Sequence, residues 1–132
     1  MGLTVLDSSI VMAFRDASDP HHGAAVSALK DAATQVLVVP VIAYAEVLVG
    51  AYRKGRKHAS LAERFFEEAV RVEPASRSIA RTAAKLRAAR GMRLPDALIV
   101  ATAIDLDADE VLTADDRWRG MDRRVRVVHG GH

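Results

Sequence analysis

Short apolar runs alternate along this chain with longer stretches of helical periodicity. Leu3–Leu6 reads as a first strand. It ends in a carboxylate, Asp7, and the next apolar positions, Ile10, Val11, Met12 and Phe14, predict a short helix capped by Ser8 or Ser9. Residues 21–33 place Ala25, Val26 and Leu29 at helical spacing behind Pro20. Residues 36–39 are apolar and rich in valine, so they predict a strand that Pro40 ends while opening the next helix. That helix is expected from residue 41 to about 52. Ile42, Ala45, Val49 and Tyr52 lie on its overlapping apolar faces, and it should stop near Gly55. A basic turn over residues 53–58 then leads to a helix at 61–69 and a candidate strand at 70–72.

Arg77–Arg90 is predicted helical with Ile79, Ala83, Leu86 and Ala89 inward, and Gly91 closes it. Pro95 suits the first turn of another helix whose apolar body is residues 97–104. Residues 109–112 with Thr113 read as a strand entering an acidic loop, and 126–128 as a last strand. The tail, His129 to His132, is expected to fray. Short apolar strands separated by helices imply an α/β fold with a mainly parallel sheet flanked by helices.

Size and composition narrow the picture further. A chain of 132 residues and 14.3 kDa can bury about two-thirds of its surface, which suits one domain spanning residues 1–132. With 50% hydrophobic and 27% charged residues, disordered and fibrous classes drop out. Cysteine is absent, which excludes disulfides and cysteine-rich zinc sites. No apolar run approaches the 18 or so residues that a membrane span needs, and no basic segment precedes an apolar one at the start, so a cytoplasmic protein is expected.

The net charge of +2 conceals an asymmetry. Residues 53–93 hold twelve Lys/Arg against four Asp/Glu, whereas the rest of the chain holds seven against thirteen. A basic middle could face a polyanion while acids gather elsewhere; a solvated set of helix faces would give the same count.

Four acids stand where doubly wound folds place their ligand sites, or interrupt patterns that should be apolar. Asp7 follows the first strand, and a helix cap would explain it equally well. Glu46 interrupts VIAYAEVLVG, so either it lies on a narrow solvent face or a cation compensates it. Asp96 heads the helix of RLPDALIVATA, where the helix dipole also favours an acid. Asp115 and Asp116 follow the strand ending at Thr113. Gathered in one pocket, such like charges need neutralising by metal ions or positive groups. All-oxygen ligation favours Mg²⁺ or Mn²⁺ over zinc. The acidic run at residues 105–110 lacks the glycine and later glutamate of a calcium loop and reads as a polar turn. No phosphate-binding glycine loop, dinucleotide fingerprint or serine elbow is present.

The segments VLDSSI at 5–10, PVIAYAEVLVG at 40–50, RLPDALIVATA at 93–103 and VLTADDRW at 111–118, in that order, resemble the PIN-domain nucleases, particularly VapC-type toxins of toxin–antitoxin pairs. The resemblance implies a three-layer PIN-like fold and makes Asp7, Glu46, Asp96 and Asp115 a catalytic cluster binding Mg²⁺ or Mn²⁺. Ser9 and Thr113 would support it, and Asp116 is the alternative fourth acid. It further implies an endoribonuclease acting on structured RNA such as tRNA or rRNA, a VapB-type antitoxin and a homodimer. Residues 53–57 and 87–93 are candidates for phosphate contacts or antitoxin acids. A basic RNA-binding module without catalysis, a metal-dependent DNA nuclease and an aspartyl-phosphate domain at Asp7 are the competing readings.

Overall fold

The computed structural model describes residues 2–129; Met1 and residues 130–132, which make up most of the tail expected to fray, lie outside the described residues. In chain order the elements are β1 (Leu3–Leu6), α1 (Ser8–Arg15), α2 (His22–Asp31), β2 (Val36–Pro40), α3 (Val41–Lys54) and α4 (Arg56–Glu68). They continue with β3 (Arg71–Glu73), α5 (Arg77–Arg90), α6 (Leu94–Asp105), β4 (Glu110–Thr113), a 3-10 turn (Asp116–Trp118) and β5 (Val125–Val127). The strands form one sheet in the order β3-β2-β1-β4-β5, and every neighbouring pair is parallel. The expected α/β architecture with a parallel central sheet flanked by helices is therefore present.

Consecutive residues on the inner strands are buried whichever face they point to: Val5 and Leu6, Val38 and Val39, Val111 and Leu112. Such continuous apolar runs need cover on both faces, which helices joining parallel strands supply. Helix α6 is the most enclosed, with Ala97, Ile99, Val100, Ala101 and Ala103 all fully buried. Its apolar residues surround the axis, as an interior helix requires. Because β1 pairs with β2 on one side and β4 on the other, the chain reverses its direction of winding at β1. In open parallel sheets such a reversal marks the ligand crevice, here beyond the C-terminal ends of β1 and β4.

Several boundaries differ from the sequence pattern for local reasons. The basic segment 53–58 is not a turn: α3 runs on to Lys54, α4 starts at Arg56, and Gly55 alone breaks the helix with φ +118 and ψ 174. Glycine alone adopts that conformation readily, so one residue suffices. In α3 the core takes Ala43, Val47 and Ala51, while Ala45, Val49 and Tyr52 are exposed. The half-buried Tyr44 decides the rotation: its ring meets Phe66 edge-on at 4.7 Å and its hydroxyl donates to Glu63 at 2.6 Å, clamping α3 to α4.

Ala89 is likewise exposed, since α5 packs inward through Ile79 and Ala83 and its last turn passes beyond them. Asp7, not Ser8 or Ser9, is the cap of α1, which puts both serines inside the helix. Strands β3 and β5 are displaced by one residue from their expected positions, to Arg71–Glu73 and Val125–Val127, following the register with β2 and β4.

Two glycines of the same region should respond to alanine with opposite sign. A Cβ at Gly50, within α3, or at Gly55 would meet nothing within 4 Å. Gly50→Ala is expected to stabilise by about 0.4–1 kcal/mol through the unfolded chain and helix propensity. Gly55→Ala should destabilise by about 1–3 kcal/mol, because its backbone suits glycine alone. Urea unfolding of the two variants checks both signs.

Candidate active site

Strand β1 ends at Leu6, and the next residue caps α1 with no linker between them. The Asp7 amide donates to the Leu112 carbonyl at 3.0 Å, which continues the β1–β4 pairing to the lip of the crevice. The Asp7 side chain, in a residue only 5% exposed, accepts from three good donors. Oδ1 takes the Ser8 amide at 2.8 Å; Oδ2 takes the Ser9 hydroxyl at 2.7 Å and the Thr113 hydroxyl at 2.8 Å. Ser9 Oγ also accepts from the Ala114 amide at 3.0 Å, and Thr113 Oγ1 from the Asp115 amide at 3.1 Å. Each hydroxyl thus serves Asp7 and the loop after β4 at once. Trp118, buried at the end of the 3-10 turn, anchors the far side of that loop.

The three other expected acids lie on other elements. Glu46 lies in the second turn of α3, half-buried. Asp96 stands in the first turn of α6, and Asp115 caps the 3-10 turn after β4. Their ionisation shows which of them act on one another. Burial pushes the Asp7 carboxyl above its usual range, the Ser9 and Thr113 hydroxyls draw it back, and the negative charge of Asp96 raises it further. Burial likewise raises Glu46; the Ser8 hydroxyl opposes this, while Asp7 and Asp96 add to it. Asp115 moves the other way, because Arg117 holds it below the usual range.

Asp7, Glu46 and Asp96 therefore act on one another, whereas Asp115 is linked to them only through Arg93 and Arg117, which act on Glu46 and Asp96 as well. Asp116 is not among them: its side chain is 72% exposed and pairs outward with Arg119 at 3.0 Å. Ser9 and Thr113 meet Asp7 directly.

Among the described residues, no three acid or histidine side chains are close enough together to hold a metal ion as they stand. The donor set nevertheless fits a hard divalent cation. It is all oxygen, one carboxylate is desolvated, and its two nearest like charges raise the free energy of leaving it ionised alone. Two arginines already lean on the outer acids, Arg93 on Asp96 at 3.2 Å and Arg117 on Asp115 at 2.6 Å. Arg93 lies in the basic stretch singled out by sequence; Arg117 escaped notice, although its spacing of two from Asp115 is the available signal. A separate cavity of about 430 Å³, lined by residues including Met12, Arg15, Val47, Lys54 and His58, contains none of the four acids.

The PIN domain family model matches residues 4–124. No curated protein matches the sequence. Among solved structures, a toxin–antitoxin complex from Klebsiella pneumoniae is similar with a TM-score of 0.77 at 25% identity, covering 94% of this chain and 96% of that one. VapC20 of Mycobacterium tuberculosis, a toxin that cleaves the sarcin–ricin loop, gives 0.69 at 20% identity, covering 82% and 86%. VapBC2 from Rickettsia felis, bound to a DNA fragment from its promoter, gives 0.77 at 16% identity, covering 96% and 98%. The last two show the same fold. With the family model spanning nearly its whole length, and the parallel sheet flanked by helices in place, this chain belongs to the PIN domain family.

Proposed function

We propose that this PIN domain is a Mg²⁺- or Mn²⁺-dependent endoribonuclease, the toxin of a toxin–antitoxin pair, that cuts structured RNA such as tRNA or rRNA. Asp7, Glu46, Asp96 and Asp115 are its catalytic, metal-holding acids, with Ser9 and Thr113 as positioning residues. The observation that carries this reading is the buried Asp7 carboxylate, which two other acids press from the same crevice. No cation of the protein pairs with Asp7 itself, and a divalent ion there would meet that charge directly.

Each side chain has a definable task. Three close donors fix the orientation of the Asp7 carboxylate, and the last of its about four acceptor positions meets only the Ser8 hydroxyl, 3.5 Å from Oδ1. Thr113 ties that orientation to Asp115 through the backbone amide of the loop. Glu46 and Asp96 bring the remaining oxygens from two helices that pack on the sheet. A bound divalent ion supplies Lewis acidity towards the phosphodiester and a nucleophilic water at neutral pH. Hydrolysis by water leaves a 5′-phosphate and a 3′-hydroxyl.

A VapB-type antitoxin is the proposed partner, supported by the Klebsiella neighbour, which was solved as a toxin–antitoxin complex. A cytoplasmic location goes with that role; no described helix is long and apolar enough to cross a membrane. We also propose a homodimer. Support comes from α3, whose Val41, Ala45, Val49 and Tyr52 form an exposed apolar stripe at helical spacing.

Purified protein should cut total cellular RNA at a few sites only with Mg²⁺ or Mn²⁺, and Asp7→Asn should lower that activity by at least about a hundredfold, the scale of metal charge stabilisation. Sequencing the new 5′ ends identifies the target. Recovery of 2′,3′-cyclic phosphate, or equal activity in the variant, would overturn the mechanism, and preferential cutting of matched DNA would reassign the substrate.

Asp7 also sets a pH dependence that needs no catalysis. Between the ordinary carboxylate pKa and its raised folded value, the folded protein holds more protons than the unfolded chain, so stability falls as pH rises through that window. In EDTA, Asp7→Asn should therefore melt above wild type at neutral pH, and the gap should close as pH falls towards the usual carboxylate range. Calorimetry across pH checks this; a variant less stable than wild type at neutral pH would contradict it. For the dimer, Tyr52→Glu is expected to convert a two-chain sedimentation coefficient to that of one chain.

A further inference from the structure

The two arginines at the crevice differ from the structural arginine of the fold. Arg124 has only 10% of its side chain exposed and is held by Asp107 at 2.9 Å and by the Ala108 carbonyl at 3.2 Å. Arg117 and Arg93, in contrast, have 70% and 64% of their side chains in solvent, yet each ends on a crevice acid. Arg117 engages both oxygens of Asp115. Nε lies 3.0 Å from Oδ1 and 3.1 Å from Oδ2, Nη2 lies 2.6 Å from Oδ2, and the Arg117 backbone amide donates to Oδ1 at 2.9 Å. Arg93 Nε donates to Asp96 Oδ2 at 3.2 Å.

We infer that Arg117 and Arg93 are internal counter-cations, which a divalent ion must displace from Asp115 and Asp96 before the four acids can share it. The inference rests on the metal-dependent reading above. Three features support it. The first is occupancy: a two-pronged guanidinium uses the same carboxylate oxygens that a hard cation would use. The second is charge. Two guanidinium groups carry the same +2 as one divalent ion, so the exchange leaves the charge of the cluster unchanged. Their influence also spreads over the group, since Arg93 acts on Glu46 and Asp115 as well as on its own partner, and Arg117 on Asp96.

The third feature is ease of exchange. Arg117 lies two residues after Asp115 and Arg93 three before Asp96, so rotation of the arginine side chains alone frees Asp96 and Oδ2 of Asp115, while the Arg117 amide keeps its bond to Oδ1. The guanidinium groups then pass into water, where they already lie for the most part; exposed ion pairs resist such separation weakly. Arg119 is the internal comparison. It is equally close in sequence but pairs with the outward Asp116, so it should not compete.

Manganese binding to the EDTA-stripped full chain tests this without catalysis, with free Mn²⁺ followed by electron paramagnetic resonance and thermal melting confirming that each variant folds. Arg117→Gln should tighten Mn²⁺ binding by about three- to tenfold, in the range of a partly exposed, two-pronged ion pair. Arg93→Gln should tighten it less, and Arg119→Gln should leave it unchanged. Arg117→Lys should also tighten it, since an ammonium keeps the charge but cannot grip both oxygens. An unchanged affinity in Arg117→Gln, while Asp7→Asn abolishes binding, overturns this inference and spares the metal-dependent reading. Equal tightening in Arg117→Gln and Arg119→Gln, with Arg117→Lys like wild type, overturns it in favour of a general field effect. No Mn²⁺ binding by wild type or Arg117→Gln overturns both.

Discussion

Everything at the crevice hangs on the carboxylate of Asp7 and its three donors at the junction of β1 and β4. The Asp7 amide extends the strand pairing, its Oδ1 caps α1, and its Oδ2 gathers two hydroxyls that hold the next loop. A buried carboxylate is costly, and here its cost is offset by hydrogen bonds that also order the strand end, the helix start and the loop. Removing the charge would relax the fold; keeping it preserves an unsatisfied demand for positive charge at one point.

That demand organises the surrounding electrostatics. The basic excess over residues 53–93 is not spread evenly in function, because α3 and α4 carry part of it away from the crevice while Arg93 sits beside Asp96. Arg117 belongs to the acid-rich remainder of the chain, yet it has the tightest grip on a crevice acid. Charge counted by segment therefore misjudges charge felt at a site. What matters is which guanidinium the backbone sets within two or three residues of a carboxylate.

The layered fold was legible because strands buried on both faces leave continuous apolar runs, as at Val38 and Val39, and interior helices leave apolar blocks, as at residues 97–104. The positions of Asp7 and Glu46 were legible for the opposite reason, as acids interrupting such runs. Less could be read where two solutions share one pattern. Helix α3 has apolar residues on two faces, and the aromatic contact of Tyr44 with Phe66, invisible in a single segment, selects between them. Adjacent Asp115 and Asp116 could not be separated by composition. Backbone geometry pairs the first with Arg117 and the second with Arg119, a distinction set by one residue of register in a 3-10 turn.

The joints that carry Asp7 and Glu46 contain no slack. Asp7 follows directly on β1, and α3, which carries Glu46, begins at the residue after Pro40, the last of β2, so both grow straight out of the sheet. One residue inserted within α3 ahead of Glu46 would turn that side chain by about 100° and carry it off the crevice. The loops at residues 16–21 and 119–124 carry none of the four acids, so a change of length there leaves those joints as they are. Evolution can redesign what surrounds the crevice by lengthening those loops, but can alter the crevice itself only by exchanging one side chain for another.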